Sequence, residues 1–269
     1  MIRLLTYLIR NGIVTRADSF AELPETSNGM PKLSDNPCLG DGCRVCEQVC
    51  PTEAIRIEPT VAEGATLSPC VTLDRGACIN CSLCVDLCST HTIVTDRDPR
   101  TASKNREELV LRSSEISKAS KESSRLVQNP FKKSIACRVV STGCSACDQE
   151  IAAASNPIFD MERFGIHVVA SPRFADVLLV TGPVPKSMHE ALKRCYGAMS
   201  EPKRVIAVGT CACTGGVHRG SYSESNGIGD LLPVDVYIPG CPPHPASIIA
   251  GIMLLMDRLP GLHDKKKDK

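Results

Sequence analysis

The chain has 269 residues, a formal net charge of +1 and a hydrophobic content of 42%. This length allows two domains. The near-neutral charge argues against a nucleic-acid partner, because nucleic-acid-binding proteins usually carry a strong basic bias. Aromatic residues make up only 3% of the chain and Trp is absent, so the core is expected to consist mainly of Ile, Val, Leu, Met and Ala.

The first 36 residues contain an amphipathic pattern and then a segment broken by prolines. Ile2, Leu5, Leu8 and Ile9 recur at helical spacing, which predicts a helix with one apolar face. We expect this face to pack on its own domain or on a neighbouring subunit rather than on a membrane surface. The apolar stretch is too short for a signal peptide and is interrupted by Arg10, so a cytoplasmic location is expected.

Many of the 16 cysteines lie in tight groups built on Cys-x-x-Cys spacing. In a reducing compartment such grouping indicates metal ligation rather than a disulfide framework. Two runs of similar design occupy residues 37–95. They read Cys38-x4-Cys43-x2-Cys46-x3-Cys50 and Cys78-x2-Cys81-x2-Cys84-x3-Cys88.

The spacing within each run suits a [4Fe–4S] cubane. Closely spaced cysteines on a tight loop can bind three of its corners, and the fourth cysteine points away to the other cluster. The predicted ligands are Cys38, Cys43, Cys46 and Cys88 for one cluster, and Cys50, Cys78, Cys81 and Cys84 for the other. Structural zinc is the alternative, but zinc sites usually use two Cys-x-x-Cys pairs or Cys/His mixtures.

Residues 96–133 are rich in Ser, Lys, Arg and Glu and are predicted to form a charged, partly helical linker. From 134 to 262 apolar strands alternate with helical patterns, and a polar tail occupies 263–269. The strand candidates are Ile135–Val140, Ile166–Ala170, Val177–Thr181, Val205–Gly209 and Val234–Ile238. The helix candidates are Asp148–Ala154, Lys186–Met199 and Pro245–Leu259. This alternation predicts an α/β, flavodoxin-like, doubly wound domain.

A third set of cysteines follows the predicted strands of this domain. Cys144, Cys147, Cys211 and Cys241 are distant in sequence, but the loops at the carboxyl ends of parallel strands meet at one edge. We therefore expect them to hold a third [4Fe–4S] cluster. The cysteines left over are Cys70, Cys137, Cys195 and Cys213.

Two further side chains near this set are candidates for a role. Glu150 follows Cys147 by about one helical turn and is a candidate for proton transfer near a partner's active site, although a carboxylate lining a helix is the plainer interpretation. His244 is a candidate for tuning the third cluster.

Residues 37–95 resemble the bacterial ferredoxin with two [4Fe–4S] clusters, which has an α+β fold. Two features depart from that family: four residues separate Cys38 from Cys43, and Ser89 stands where a proline is usual. Together with the amphipathic start and the extended docking segment, residues 1–95 resemble the ferredoxin subunit of formate hydrogenlyase and complex I-type assemblies.

Residues 134–259 resemble the small subunit of group 4, energy-converting [NiFe] hydrogenases and its relative in respiratory complex I. The resemblance includes the three cysteine motifs and the stretch Asn156–Gly165. In the complex I relative the first two ligands are adjacent, whereas Cys144 and Cys147 are separated by two residues, as in the hydrogenases. Within the second motif, Cys211 rather than Cys213 matches the family.

These resemblances imply an electron-transfer subunit of a membrane-associated [NiFe] hydrogenase complex, with proton reduction or H2 oxidation on the large subunit. The implied partners are that large subunit, membrane-arm subunits, and a donor or acceptor such as a formate or CO dehydrogenase subunit or ferredoxin. The implied location is the inner face of the cell membrane. The alternative is the equivalent subunit of a complex I-like or hydrogenase-related oxidoreductase without nickel–iron.

Overall fold

The computed structural model describes residues 2–12, 15, 18, 20–58, 70–113 and 129–259. The predicted polar tail, 263–269, lies outside these residues. The first helix, α1, covers Ile2–Asn11, as the sequence predicts. Leu5 and Ile9 on its predicted apolar face are 60% and 75% exposed, whereas the side chains of Ile2 and Leu8 lie outside the described part.

The N-terminal unit combines two short helices with two small sheets. Its strands are β1 (Met30–Leu33), β2 (Ile55–Glu58), β3 (Cys70–Asp74), β4 (Ile93–Asp96) and β5 (Val110–Arg112). Strands β1 and β4 pair antiparallel, and β2, β3 and β5 form a second antiparallel sheet in that order. The helices are α2 (Val45–Gln48) and α3 (Leu83–Asp86). Each cysteine run thus contributes one short helix followed by one strand, as expected for an internal duplication.

The first part of the predicted linker, 96–133, contains a 3-10 turn at Glu107–Leu109, in line with the expected partly helical character, but it also contains a strand that was not predicted. Strand β5, at Val110–Arg112, pairs with β3 and places Leu111 opposite Leu73. This apolar cross-strand pair stabilises the strand, although the overall composition of the segment is polar. Residues 114–128 of the predicted linker lie outside the described residues.

The C-terminal unit is built on one parallel sheet. Its strands are β6 (Ile135–Ser141), β7 (Ile166–Val168), β8 (Val177–Thr181), β9 (Arg204–Val208) and β10 (Val236–Ile238). The spatial order is β10-β9-β8-β6-β7, with every neighbouring pair parallel. Numbered from the first strand of this sheet, the order is 2-1-3-4-5, which is the flavodoxin-like order. The predicted flavodoxin-like fold is thereby confirmed for this unit.

Helices cover both faces of this sheet. They are α4 (Ala146–Ala154), α5 (His189–Gly197), α6 (Thr210–Thr214) and α7 (Pro245–Leu255). Side chains of β8 alternate between the two faces: Val177 and Leu179 pack with α4 and α7, while Leu178 and Val180 pack with α5 and α6. Burial on both faces explains why this strand is apolar from Val177 to Val180.

The segment before β5 connects the two units. Ser103 pairs with Tyr237 of β10, its backbone N–H donating to the Tyr237 carbonyl at 3.0 Å and its carbonyl accepting at 2.8 Å. Beside it, Lys104 forms an ion pair with Asp257 at 2.6 Å. The N-terminal unit is therefore attached along the β10 edge of the parallel sheet.

Candidate metal centres

The first run places its cysteines around helix α2 and the loop before it. Cys46 lies within α2, and Cys50 follows the end of that helix. The pKa of Cys46 is raised to about 11 by burial and then by the charges of Cys38, Cys88 and Cys43. Because such charge effects require neighbouring groups, the structure brings the four cysteines of the first predicted set together.

The second predicted set gathers around helix α3. Burial raises the pKa of Cys84 to about 12, and the charges of Cys78, Cys81 and Cys50 add to the effect. Cys50 therefore lies with the second run, and Cys88 lies with the first. This is the crossed arrangement that the spacing predicts, with the last cysteine of each run joining the other set.

Backbone N–H groups point at the sulfurs of these sets. Gly40 donates to the sulfur of Cys38 at 3.4 Å, Ala54 to that of Cys50 at 3.2 Å, and Asn80 to that of Cys78 at 3.4 Å. Such donors stabilise a thiolate, which is the form that binds iron. They also resemble the N–H···S contacts that tune cluster potentials, so the local backbone fits a thiolate-held cluster.

The third predicted set lies at the carboxyl edge of the parallel sheet. Cys147 occupies the first turn of α4, Cys211 lies in α6, and Cys144 and Cys241 lie in loops and are exposed. The pKa of Cys147 is raised to about 12, mainly by burial and then by the neighbouring charges of Cys241, Cys211 and Cys144. The four distant cysteines of the prediction are thus brought together.

Gly209 shows how closely the backbone approaches this set. It adopts a φ of +89°, and a Cβ placed on it would lie 2.5 Å from the sulfur of Cys147. A residue with a side chain would therefore be strained and would displace the sulfur. The glycine before α6 keeps the space that the third set needs.

The leftover cysteines that the structure describes occupy different surroundings. Cys213 is 5% exposed, and its sulfur lies 3.7 Å from the carbonyl oxygens of Ala207 and Ile238, to which it donates. Cys211, by contrast, has its pKa raised to about 11 by burial and by the charges of Cys241 and Cys144. Geometry therefore favours Cys211 over Cys213 as a member of the third set. Cys137 is fully buried in β6, as a structural core cysteine would be.

A cavity of about 180 Å³ is lined by residues of both units. Glu150 and His244 line it from the C-terminal unit, and Asn80 and Thr101 line it from the other side. Burial raises the pKa of Glu150 above its ordinary value. His244 accepts from the N–H of Ala246 through Nδ1 at 3.2 Å. Both candidate side chains thus lie beside the third set, and a proton-transfer role for Glu150 stays a prediction.

Within the described ranges, no three His, Cys, Asp or Glu side chains are close enough to bind a single metal ion. A tetrahedral zinc site would need sulfurs about 2.3 Å from one ion.

Among the described residues, no helix is both long and apolar enough to cross a membrane.

Sequence reasoning missed two side chains at the junction of the units. Thr210 and Thr214 donate from their hydroxyls to the carbonyls of Cys78 and Gly76, at 2.6 and 3.0 Å. These contacts join residues more than 130 positions apart, so no local pattern could have revealed them.

Comparison with known proteins shows relatives of the C-terminal unit. The family model of the NADH ubiquinone oxidoreductase 20 kDa subunit matches residues 144–255. A probable membrane-bound hydrogenase subunit of Pyrococcus furiosus is 46% identical over 121 residues, covering 45% of this chain and 72% of that protein. An NADH-quinone oxidoreductase subunit of Geotalea daltonii is 48% identical over 117 residues, covering 44% and 68%. Formate hydrogenlyase subunit 7 of Escherichia coli is 44% identical over 122 residues, covering 45% and 48%.

Proposed function

The chain belongs to the family of the 20 kDa subunit of NADH ubiquinone oxidoreductase, and from this membership we propose that it is the electron-transfer subunit of a membrane-associated, energy-converting [NiFe] hydrogenase complex. Its relatives are named as subunits of a membrane-bound hydrogenase, a formate hydrogenlyase and NADH-quinone oxidoreductases, so the chain is a subunit of an oxidoreductase complex. The observation that carries the finer proposal is the gathering of twelve cysteines into three groups of four.

Each group would hold one [4Fe–4S] cluster, which when bound supplies one-electron transfer. In this proposal the N-terminal unit, 37–95, is a two-cluster ferredoxin-like domain fused to the family domain at 134–262. The chain contributes thiolate ligands, backbone donors to sulfur, and the glycine that admits the sulfur of Cys147. Its role is conduction, since bond-making takes place on a partner.

The arrangement of the three groups supports a linear path. The charge of Cys46 in the first set acts on Cys84 in the second, so these sets are neighbours. The carbonyl of Cys78 in the second set accepts a hydrogen bond from Thr210, which immediately precedes Cys211 of the third. Electrons would therefore enter or leave at the first set and exchange with a partner at the third.

The proposed partner at the third set is a large subunit that contains nickel–iron and reduces protons or oxidises H2. Support for this choice is the spacing of Cys144 and Cys147, which resembles the hydrogenase motif. A complex I-like or hydrogenase-related assembly without nickel–iron is the alternative, supported by the 48% identity to an NADH-quinone oxidoreductase subunit. Paired Cys-x-x-Cys motifs in the large subunit would favour the hydrogenase, and their absence would exclude it.

The other proposed partners are membrane-arm subunits and an electron donor or acceptor, such as a formate or CO dehydrogenase subunit or a ferredoxin. The proposed location is the cytoplasmic face of the cell membrane, where the chain would be a peripheral part of the complex. Support comes from the relative that is named as membrane-bound.

Metal analysis of the anaerobically purified chain tests the cluster proposal. Three cubanes predict about twelve irons and as many acid-labile sulfides per chain. Stoichiometric zinc with little iron would contradict the proposal, and so would the absence of a paramagnetic signal after reduction by dithionite.

A matched pair of variants tests the third set. Cys211→Ser should remove about four irons per chain, because a cubane needs four cysteine ligands. Cys213→Ser, two positions away in the same helix, should leave the iron content unchanged, because its sulfur donates to backbone carbonyls of the core. Loss of iron from Cys213→Ser alone would reverse the assignment.

A further inference from the structure

Two threonine hydroxyls join the C-terminal unit to the backbone of the second cysteine run. Thr210 Oγ1 donates to the carbonyl oxygen of Cys78 at 2.6 Å, and Thr214 Oγ1 shares its hydrogen between the carbonyl oxygens of Gly76 at 3.0 Å and Thr210 at 3.2 Å. Thr210 is 1% exposed and Thr214 is 6% exposed. Both hydrogen bonds are therefore shielded from water, and losing either donor would leave a buried carbonyl unpaired.

The local structure of α6 explains why both hydroxyls reach the same loop. The helix is bounded by Gly209 and Gly215, whose φ angles are +89° and +87°. Within it Thr210 and Thr214 are four residues apart, which places them on one face. Cys211, which belongs to the third set, follows Thr210 directly in the sequence.

The accepting loop also contacts Arg106. Arg106 forms an ion pair with Asp74, and a Cβ placed on Gly76 would lie 2.9 Å from its guanidinium carbon. Ala77, between the two accepting residues, is fully buried. The loop that carries Cys78 is thus contacted both by Arg106 and by helix α6.

We propose that Thr210 and Thr214 form a hydroxyl clasp that fixes the second cysteine set against the third, with Thr210 as the positioning residue for electron transfer between them. The electron-transfer part rests on the proposed function. The transfer moves one electron, so one centre is oxidised as the other is reduced, and no bond or proton changes place. The clasp keeps the two sets at a constant separation. The hydrogen bond from the Thr210 hydroxyl to the Cys78 carbonyl connects Cys78 to Thr210, the residue next to Cys211.

Hydrogen exchange of the full chain tests the clasp without reference to activity. Thr210→Val keeps the side-chain shape and removes the donor, so amide exchange in peptides covering 70–82 should become about fivefold faster, as expected for the loss of one buried hydrogen bond. Thr210→Ser restores the hydroxyl and should restore slow exchange.

The matched control is Thr72→Val. The Thr72 hydroxyl is buried on neighbouring strand β3 and has no hydrogen-bond partner in the described part of the chain, so this variant should exchange like the wild type. Equal exchange in Thr210→Val, Thr210→Ser and wild type would overturn the clasp. Faster exchange in Thr72→Val as well would also overturn it, because the effect would then reflect general loosening.

Paramagnetic resonance of the reduced, anaerobically purified chain tests the positioning role. Thr210→Val should retain the wild-type iron content but lose magnetic broadening between the second and third centres, and Thr210→Ser should retain it. Unchanged broadening in Thr210→Val would overturn the positioning role. A wild-type chain without iron would instead contradict the proposed function, whereas the exchange measurement would still decide whether the clasp exists.

Discussion

The third cysteine set requires a glycine at position 209. Replacing it by Ala would place a Cβ 2.5 Å from the sulfur of Cys147 in a backbone conformation of φ +89°. We expect Gly209→Ala to lose about four irons per chain, because the displaced sulfur can no longer complete a cubane. Iron and acid-labile sulfide analysis of the purified variant measures this.

Gly220 supplies the control that separates crowding from backbone strain. Its φ is +76°, but a Cβ placed on it meets nothing within 4 Å among the described residues. Gly220→Ala should therefore carry the strain of a positive φ, about 1–2 kcal/mol, without crowding a sulfur, and keep all its iron. The crowding argument would be wrong if both variants lost iron equally, or if Gly209→Ala lost none.

At the same scale, the sequence reveals the cysteines but not the groups that position them. Cysteine spacing predicts that Cys50 and Cys88 each join the other run, since the fourth cysteine of a run is expected to point away, and the structure places both sulfurs near that run. The Thr210 hydroxyl offers no such signal, because its acceptor, the Cys78 carbonyl, is 132 positions away. The contact depends on how the two units pack.

At the scale of elements, prediction succeeds where burial dictates composition. Strand β8 has the predicted bounds, Val177–Thr181, because both of its faces are buried. Strand β7 ends at Val168 and helix α7 at Leu255, both earlier than predicted. Helix α6 is absent from the predicted elements, since five residues between two glycines are too few to show helical periodicity.

Asp235 connects β9 to the segment that leads into β10. The pKa of its carboxylate predicts how the stability of this connection depends on pH. Its carboxylate accepts from the N–H of Val205 at 2.8 Å. Burial raises the pKa above the ordinary 3.8, although that hydrogen bond and the charge of Arg204 lower it. Because the folded pKa is the higher one, the stabilising contribution is complete below about 3.8 and is lost as pH rises through the folded pKa.

We therefore expect the free energy of unfolding of wild type, minus that of Asp235→Asn, to decrease between about pH 4.5 and about pH 6.5. The asparagine does not titrate and can still accept from Val205, so it removes the pH dependence alone. Anaerobic urea unfolding at the two pH values measures the difference. A constant or increasing difference would show that the folded pKa is not raised.

For the whole molecule, the two units are not independent bodies on a flexible tether. Ser103 extends the β10 edge of the parallel sheet, and Lys104 pairs with Asp257 beyond α7. From its polar composition this segment is predicted to be a linker. Composition alone does not reveal that Ser103 pairs with a distant strand. The attachment places the second cysteine set beside the third, as the proposed electron transfer would require.

The same architecture exposes one side of the third set. Cys144 and Cys241 are exposed in the isolated chain, and both lie at the carboxyl edge of the sheet. Val217 is an apolar residue that is 56% exposed at this edge. It follows Gly216, which lies against the sulfur of Cys211. If the proposed large subunit covers the third set, this side chain is expected to be buried in the complex.

Val217→Asp should therefore lower the amount of large subunit that co-purifies with the chain, because a carboxylate buried without a partner is strongly unfavourable. Phe174→Asp is the matched control, since Phe174 is 74% exposed but precedes β8 and so lies at the amino edge. It should leave co-purification unchanged, and both variants should keep their iron. Equal loss of the large subunit from both variants, or from neither, would show that the partner does not bind at the carboxyl edge.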